Sequence, residues 1–306
     1  MKFINRLIRT IRERYRLLPL QLMDRVILIY LSVIGLLVIP FHQDVRNWPG
    51  VSVLHGVLCL GVLELIRLNE RRRLPGLKFL RTFYPLLWLS FAWSEMDNLV
   101  TMIFPYWANA FVIKADLWLF GVHPTVWVQQ WFRPWRTVLM YFFYTSYYFF
   151  NPLVAFPLYF RGRMQETFDY LFLVTFSYAV NFSLFFFFPS EGPWVVLKSL
   201  HTVEPEGGVF MHLIQWLQAR GSVRGGAFPS SHVAAAFVMA LSGIRYNRPV
   251  GLVLLPLAIG VAFATVYCRY HYAVDAIAGI ASGLILYAVG LRLLKIRDAA
   301  GRKNLP

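Results

Sequence analysis

Three short stretches concentrate polar residues in a chain where apolar ones are the rule: Phe188-Pro189-Ser190-Glu191-Gly192-Pro193, Phe228-Pro229-Ser230-Ser231-His232, and Arg269-Tyr270-His271-Tyr272-Ala273-Val274-Asp275. His271 and Asp275 stand four apart at the expected start of a helix, so their side chains share a face. An imidazole beside a carboxylate has its tautomer fixed, because one ring nitrogen donates to the carboxylate and the other keeps its lone pair. That makes His271 a candidate nucleophile towards phosphorus, oriented by Asp275. His232 sits at the start of another expected helix, where it can protonate a departing oxygen. Ser230, Ser231 and the backbone N–H groups that open this helix form an anion site suited to phosphate oxygens. Arg224 and Arg269, with Arg220 and Lys198, are the cations available to neutralise a phosphate, and Glu191 completes the candidate substrate-binding set.

Spacing alone leaves other readings open. Charges inside a membrane need partners whatever their function, so His271 and Asp275 also fit a structural pair. Two histidines and a carboxylate match a zinc donor set as well. His42, His55, His123, His201 and His212 read as caps or surface residues. Glu64, Glu95 and Asp97 fall within expected spans and read as helix-contact or head-group residues.

Positioning these residues is the task of a membrane bundle. Of the 306 residues, 58% are hydrophobic and 15% charged, too apolar for a soluble domain, which runs near 45–50% apolar and about 25% charged. Apolar stretches predict eight spans, with six to eight allowed, over 25–41, 51–68, 82–104, 137–160, 167–188, 230–244, 250–268 and 272–294. The third is interrupted by Glu95, Asp97 and Asn98, which predicts a shorter helix followed by a re-entrant or interfacial piece. Cys59 and Cys268 lack metal-ligand spacing and read as small buried hydrophobes. Residues 1–24 carry Ile4, Leu7, Ile8, Ile11, Tyr15 and Leu18 at helical spacing among arginines, the pattern of a basic helix lying on an anionic membrane surface. The organisation expected is that surface helix, two N-terminal spans over 25–81, and a catalytic membrane domain over 82–298.

The net charge of +15 is spread in short clusters between apolar segments, as topology requires, which argues against a nucleic-acid partner. With the N-terminus cytoplasmic, the opposite side holds only Arg46, Lys114, Arg133, Arg136, Lys198, Arg220, Arg224 and Arg269 of the 30 Lys and Arg. That bias predicts cytoplasmic termini. Spans five to eight then end or begin at 188, 230, 268 and about 271 on one, extracytoplasmic, side. Helix parity alone brings the three polar stretches to one level. Two long connections lie on the same side: 105–136, rich in Trp as interfacial helices are, and 189–229, whose glycines suit a loop that admits a ligand. The aromatic run Tyr141–Phe150 reads as lipid-facing or packing surface.

Pro229-Ser230-Ser231-His232 resembles the second signature of the type 2 phosphatidic acid phosphatase (PAP2) superfamily, and Tyr270-His271-Tyr272 through Asp275 and Gly279 resembles its third. The resemblance implies that His271 forms a phosphohistidine supported by Asp275, that His232 is the acid, and that no metal or other cofactor is needed. Thr265 stands where the third signature has Arg, Ser231 where the second has Gly, and Trp127 where the first has Lys ahead of Arg133-Pro134. With Asp116-Leu-Trp-Leu-Phe-Gly121, the combination is more similar to the inositol phosphorylceramide synthase and sphingomyelin synthase branch, whose members transfer phospho-head-groups between lipids. The resemblance thus implies a membrane enzyme that acts on a lipid phosphate or phospholipid, and the compact length adds the expectation of a bacterial-type plasma (inner) membrane. Water as acceptor gives a phosphatase and a lipid alcohol gives a phosphotransferase. A lipid transporter or scramblase-like protein is the rival reading, distinguished by lipid movement that survives His271→Ala.

Overall fold

The computed structural model describes Tyr15 and residues 18–221 and 223–303, and among these every regular element is helical. The surface helix expected over 1–24 falls, for residues 1–14, 16 and 17, outside the described part. The helices run in chain order as α1 Leu22–Leu37, α2 Trp48–Arg72, α3 Pro75–Leu99, α4 Asn109–Phe120, the single turn α5 Pro124–Trp127, α6 Pro134–Phe160, α7 Met164–Phe185, the single turn α8 Pro193–Val196, α9 Gly208–Gly221, α10 Ser231–Tyr246, α11 Arg248–Tyr267 and α12 Ala273–Lys303. Prolines punctuate the chain: α2, α3, α5, α6, α8 and α11 each carry Pro in their first two positions, where the missing N–H has no partner to lose.

Each of the eight expected spans coincides with a helix. Four of these, α2, α7, α11 and α12, are long and apolar enough to cross a membrane. The sixteen residues each of α1 and α10 rise only about 24 Å, less than a hydrocarbon core of about 30 Å. The third span departs from expectation, since α3 continues unbroken through Glu95 and Asp97 to Leu99. Its polar residues are satisfied without a break. Glu95 lies 3.4 Å from His55 Nε2, Asp97 accepts from the Arg224 backbone N–H at 3.1 Å, and Asn98 exchanges two hydrogen bonds with the Arg46 backbone. His55 is accordingly no surface residue but is buried between α2 and α3. Cys268 is buried and Cys59 half-buried.

Helix α10 is the centre of the bundle, packed by α11, α12, α7 and α6. Its Ala234, Ala235, Ala236 and Ala240 are fully buried. Small residues let backbones approach closely where apolar burial alone gives little drive in lipid. At Gly283 of α12 a Cβ would stand 2.7 Å from the Ala234 carbonyl oxygen, and at Gly279 2.6 Å from that of Ser230. The contact that this spacing allows carries the start of α12, with Asp275, directly against the start of α10, with His232. The Trp-rich connection forms α4, α5 and the short 3-10 turn Val128–Trp131, with Trp118 and Trp135 exposed on its outer surface.

Gly283→Ala should therefore lower thermal stability in detergent by about 1–3 kcal/mol through overpacking against the α10 backbone. Gly61→Ala, where a Cβ meets nothing within 4 Å, should be neutral or stabilising in the same melting experiment.

Candidate active site

Two loops build the site. In the first, residues 225–230 lead into α10 and are tied to the segment after α7: Ala227 N–H donates to the Ser190 carbonyl at 3.1 Å, and Phe228 N–H to Ser190 Oγ at 2.9 Å. In the second, residues 268–272 join α11 to α12, with Tyr270 and His271 N–H groups both donating to the Thr265 carbonyl at 2.9 and 3.0 Å. The two loops clasp each other. His271 Nδ1 lies 2.9 Å from the Ala227 carbonyl, and Ser230 N–H donates to the Asp275 carbonyl at 3.1 Å.

A carbonyl can only accept, so a neutral His271 carries its proton on Nδ1 and leaves the Nε2 lone pair free. Asp275 Oδ2 lies 3.5 Å from the same Nδ1 and accepts from the Tyr272 N–H at 2.9 Å. The hydrogen bond orienting the ring is thus the one to the Ala227 backbone, with the fully buried Asp275 carboxylate beside it rather than in its place. Burial pushes the His271 imidazole down to about 4, with the Ala227 bond working in the other direction. At neutral pH the ring is uncharged, held at Nδ1 with its Nε2 lone pair free. Asp116 of α4 accepts from the N–H groups of Ala273 and Val274 at 3.3 and 2.8 Å and so caps the start of α12.

His232 faces His271 with ring centroids 5.8 Å apart. An aromatic cage holds it: Tyr144 stacks on it at 5.9 Å, Tyr147 approaches to 5.1 Å and Trp93 meets it edge-on at 5.8 Å. Both histidines line a cavity of about 640 Å³ shared with Ser231, Tyr178, Gln218, Tyr270, Gly225 and Gly226. Tyr144, Tyr147, Tyr148 and Asn151 all line it, so part of the 141–150 run expected to face lipid or pack turns inward. Their spacing of three, four and seven is one helix face, the signal that was available in the sequence.

The sequence-derived binding set divides. Ser231 lines the cavity with its buried hydroxyl unpartnered. Ser230 is fully buried, and its Oγ caps α10 by accepting from the Val233 N–H at 3.3 Å. Arg224, Glu191 and Arg269 do not line the cavity. Arg224 ion-pairs with Glu191, whose carboxylate also accepts from Asn109 at 2.9 Å. Arg269 is buried and takes up the Val203 carbonyl and Gln129 Oε1 while lying over the Phe132 ring. Distant loops claim both guanidinium groups. Lys198 is exposed and off the cavity, and of Arg220 only the backbone is described. Among the described residues no group of three His, Cys, Asp or Glu is arranged around a metal position. Asp275 approaches His271 from the Nδ1 side, the nitrogen already bonded to the Ala227 carbonyl, rather than from Nε2.

Comparison with known proteins bears on the same region. The PAP2 superfamily model matches residues 110–289, more than half of the chain, including His232, His271 and Asp275. A PA-phosphatase related-family protein of Dictyostelium discoideum is 34% identical over 110 residues, which cover 34% of this chain and 20% of that protein. No solved structure matches.

If Arg269 holds the turn rather than a ligand, Arg269→Ala should lower thermal stability by about 1–3 kcal/mol, because it strips the Val203 carbonyl of its side-chain donor and leaves the buried Gln129 Oε1 with the Val203 N–H alone. A substrate KM raised with no loss of melting temperature is the opposite result and would restore Arg269 as a phosphate ligand.

Proposed function

Since the chain belongs to the PAP2 superfamily, we propose that it is an integral membrane lipid phosphatase or phosphotransferase working through a phosphohistidine on His271. One observation carries the reading: two imidazoles from different helices face each other across one cavity, centroids 5.8 Å apart, with His271 held by Nδ1 so that Nε2 is free. In the first step His271 Nε2 attacks phosphorus. The P–N bond forms, the P–O bond to the leaving group breaks, and His232 gives that oxygen its proton. The anionic phosphoryl group between the rings stabilises the His232 imidazolium this step requires. In the second step the His232 base takes a proton from the acceptor, whose oxygen attacks phosphorus as the P–N bond breaks. Water yields a phosphatase and a lipid alcohol a phosphotransferase. The name of the Dictyostelium relative supports the former, and the resemblance to head-group transferases the latter.

The bundle reads as eight crossings, α1, α3, α6 and α10 completing the four spans α2, α7, α11 and α12. The charge bias along the chain supports cytoplasmic termini and a site on the extracytoplasmic face, at the level where acyl chains meet head groups.

The purified protein, assayed in EDTA against a panel of lipid phosphates and phospholipids with and without diacylglycerol or ceramide, should release or transfer phosphate. His271→Ala should remove that activity together with acid-quench trapping of labelled phosphate on the protein, and His232→Ala should cost about 10²–10⁴-fold in rate. A wild-type protein that turns over only with added metal would overturn the mechanism.

The pH profile supplies a separate check. His271 attacks only when deprotonated, and burial holds it near 4, so kcat/KM should show no loss from this group at neutral pH and fall as pH drops through about 4. An acid limb centred at about 6.5, the ordinary histidine value, would mean that the ring is solvated rather than buried.

A further inference from the structure

A second cavity, of about 510 Å³, lies where the end of α2 meets the starts of α3 and α7. Met164 and Phe168 of α7 line it, whereas Phe182 of the same helix lines the catalytic cavity. The helix between Phe168 and Phe182 rises about 20 Å, so the two cavities occupy opposite ends of the bundle.

Its polar lining is Gln21, Asn69, Glu70, Arg73, Lys78, Arg81 and Thr82. Arg81 is 4% exposed. Its guanidinium ion-pairs through Nη2 with Asp24 and lies over the Tyr84 and Phe168 rings at 5.7 and 5.6 Å. Asp24 also accepts from Tyr84 Oη at 2.6 Å and the Gln21 N–H at 2.7 Å. Among the described residues Arg81 Nη1 is buried without an acceptor, and Asn69 Oδ1 without a donor. A buried guanidinium N–H that stays unpaired is costly, which points to an anion or oxygen acceptor supplied from outside the chain. Charge agrees. Asp24 offsets Arg81 and Glu70 offsets one further cation, so Arg73 and Lys78 leave the lining net positive, with Arg71 and Arg72 exposed beside it. Pro19, Met164 and Phe168 supply an apolar wall.

We propose that this cavity binds the phosphate of an anionic phospholipid head group, with Arg81 Nη1, Arg73 and Lys78 as its donors. Basic pockets between spanning helices hold anionic head groups in this manner, a localised charge on the oxygens and apolar contact above it. The occupant would brace α1, α2, α3 and α7 against one another at the end of the molecule away from the chemistry.

The test uses the full chain carrying His271→Ala, so that no substrate is consumed, in neutral detergent. Thermal unfolding is followed while dioctanoyl phosphatidylglycerol, dioctanoyl phosphatidylcholine or inorganic phosphate is added. The comparison protein adds R73Q and K78Q, two positions whose replacement leaves the Arg81–Asp24 pair intact. Phosphatidylglycerol should raise the melting temperature more than phosphatidylcholine, and R73Q/K78Q should weaken its half-saturation about tenfold or more while leaving the unliganded melting temperature unchanged. Inorganic phosphate reproducing the shift with the same sensitivity would make free phosphate the occupant of the same site and overturn the lipid assignment. A phosphatidylglycerol shift that is absent, or that R73Q/K78Q does not alter, overturns the proposal.

Discussion

The reciprocal clasp between two loops governs the site: His271 Nδ1–H to the Ala227 carbonyl, and Ser230 N–H to the Asp275 carbonyl. Each bond joins the approach to α10 with the approach to α12. Together they set the distance between the two imidazoles and decide which nitrogen of His271 meets the cavity. The clasp depends in turn on how closely α10 and α12 can approach, and that is a matter of Gly279 and Gly283 having no Cβ. A side chain at either position would separate the helices and lengthen both bonds. The chemistry of the site is therefore limited by backbone spacing before any question of side-chain acidity arises.

Burying such a site among apolar helices obliges the surrounding chain to supply partners. Asp116 spends its carboxylate on the first N–H groups of α12. Ser230 spends its hydroxyl on α10. Arg269 binds the Val203–Glu204 segment and Gln129, and Glu191 binds Asn109 and Arg224. These residues hold the loops so that His271 and His232 need not hold themselves. Among the described residues Ser231 Oγ and His232 Nδ1, by contrast, are buried without partners at the cavity wall, the arrangement expected where a ligand completes the hydrogen bonding.

Parity of helices was enough to place 188, 230, 268 and 271 at one level, because a chain that crosses an apolar slab must alternate sides. Spacing of four was enough to put His271 beside Asp275. What the sequence did not disclose is which groups answer which. Arg224 and Arg269 read as phosphate ligands because cations near a candidate anion site attract that reading, yet Glu191, Val203 and Gln129, remote along the chain, claim them first. The orienting bond of His271 was invisible for the same reason, as its acceptor is a main-chain carbonyl 44 residues away that no residue type announces. Tyr144 and Tyr147 were legible in period but not in direction, since an aromatic helix face looks alike whether it meets lipid or a cavity. The count of crossings is limited differently: α1 and α10 are too short by themselves, and hydropathy takes each helix alone.

That Arg224 and Arg269 lie off the cavity and are paired elsewhere bears on what can stabilise a phosphoryl group in it. Among the described residues the lining of the catalytic cavity contains two histidines but no Lys, Arg, Asp or Glu. On the proposed mechanism, negative charge on phosphorus would then be met by dipoles: the hydroxyls of Ser231 and the tyrosines, the amide of Gln218, and the N–H groups that open α10. Such donors are fixed by packing and cost little reorganisation, but they supply no full countercharge. The charge they can carry is correspondingly small, and an imidazolium on His232 becomes the one cation among the described lining residues within reach of the transferring group. On the proposed mechanism, protonation of His232 would serve two ends at once, neutralising the phosphoryl oxygens and providing the leaving group's proton. That would couple substrate charge to catalytic competence, because the histidine would be held in its acidic form only while an anion lies between it and His271.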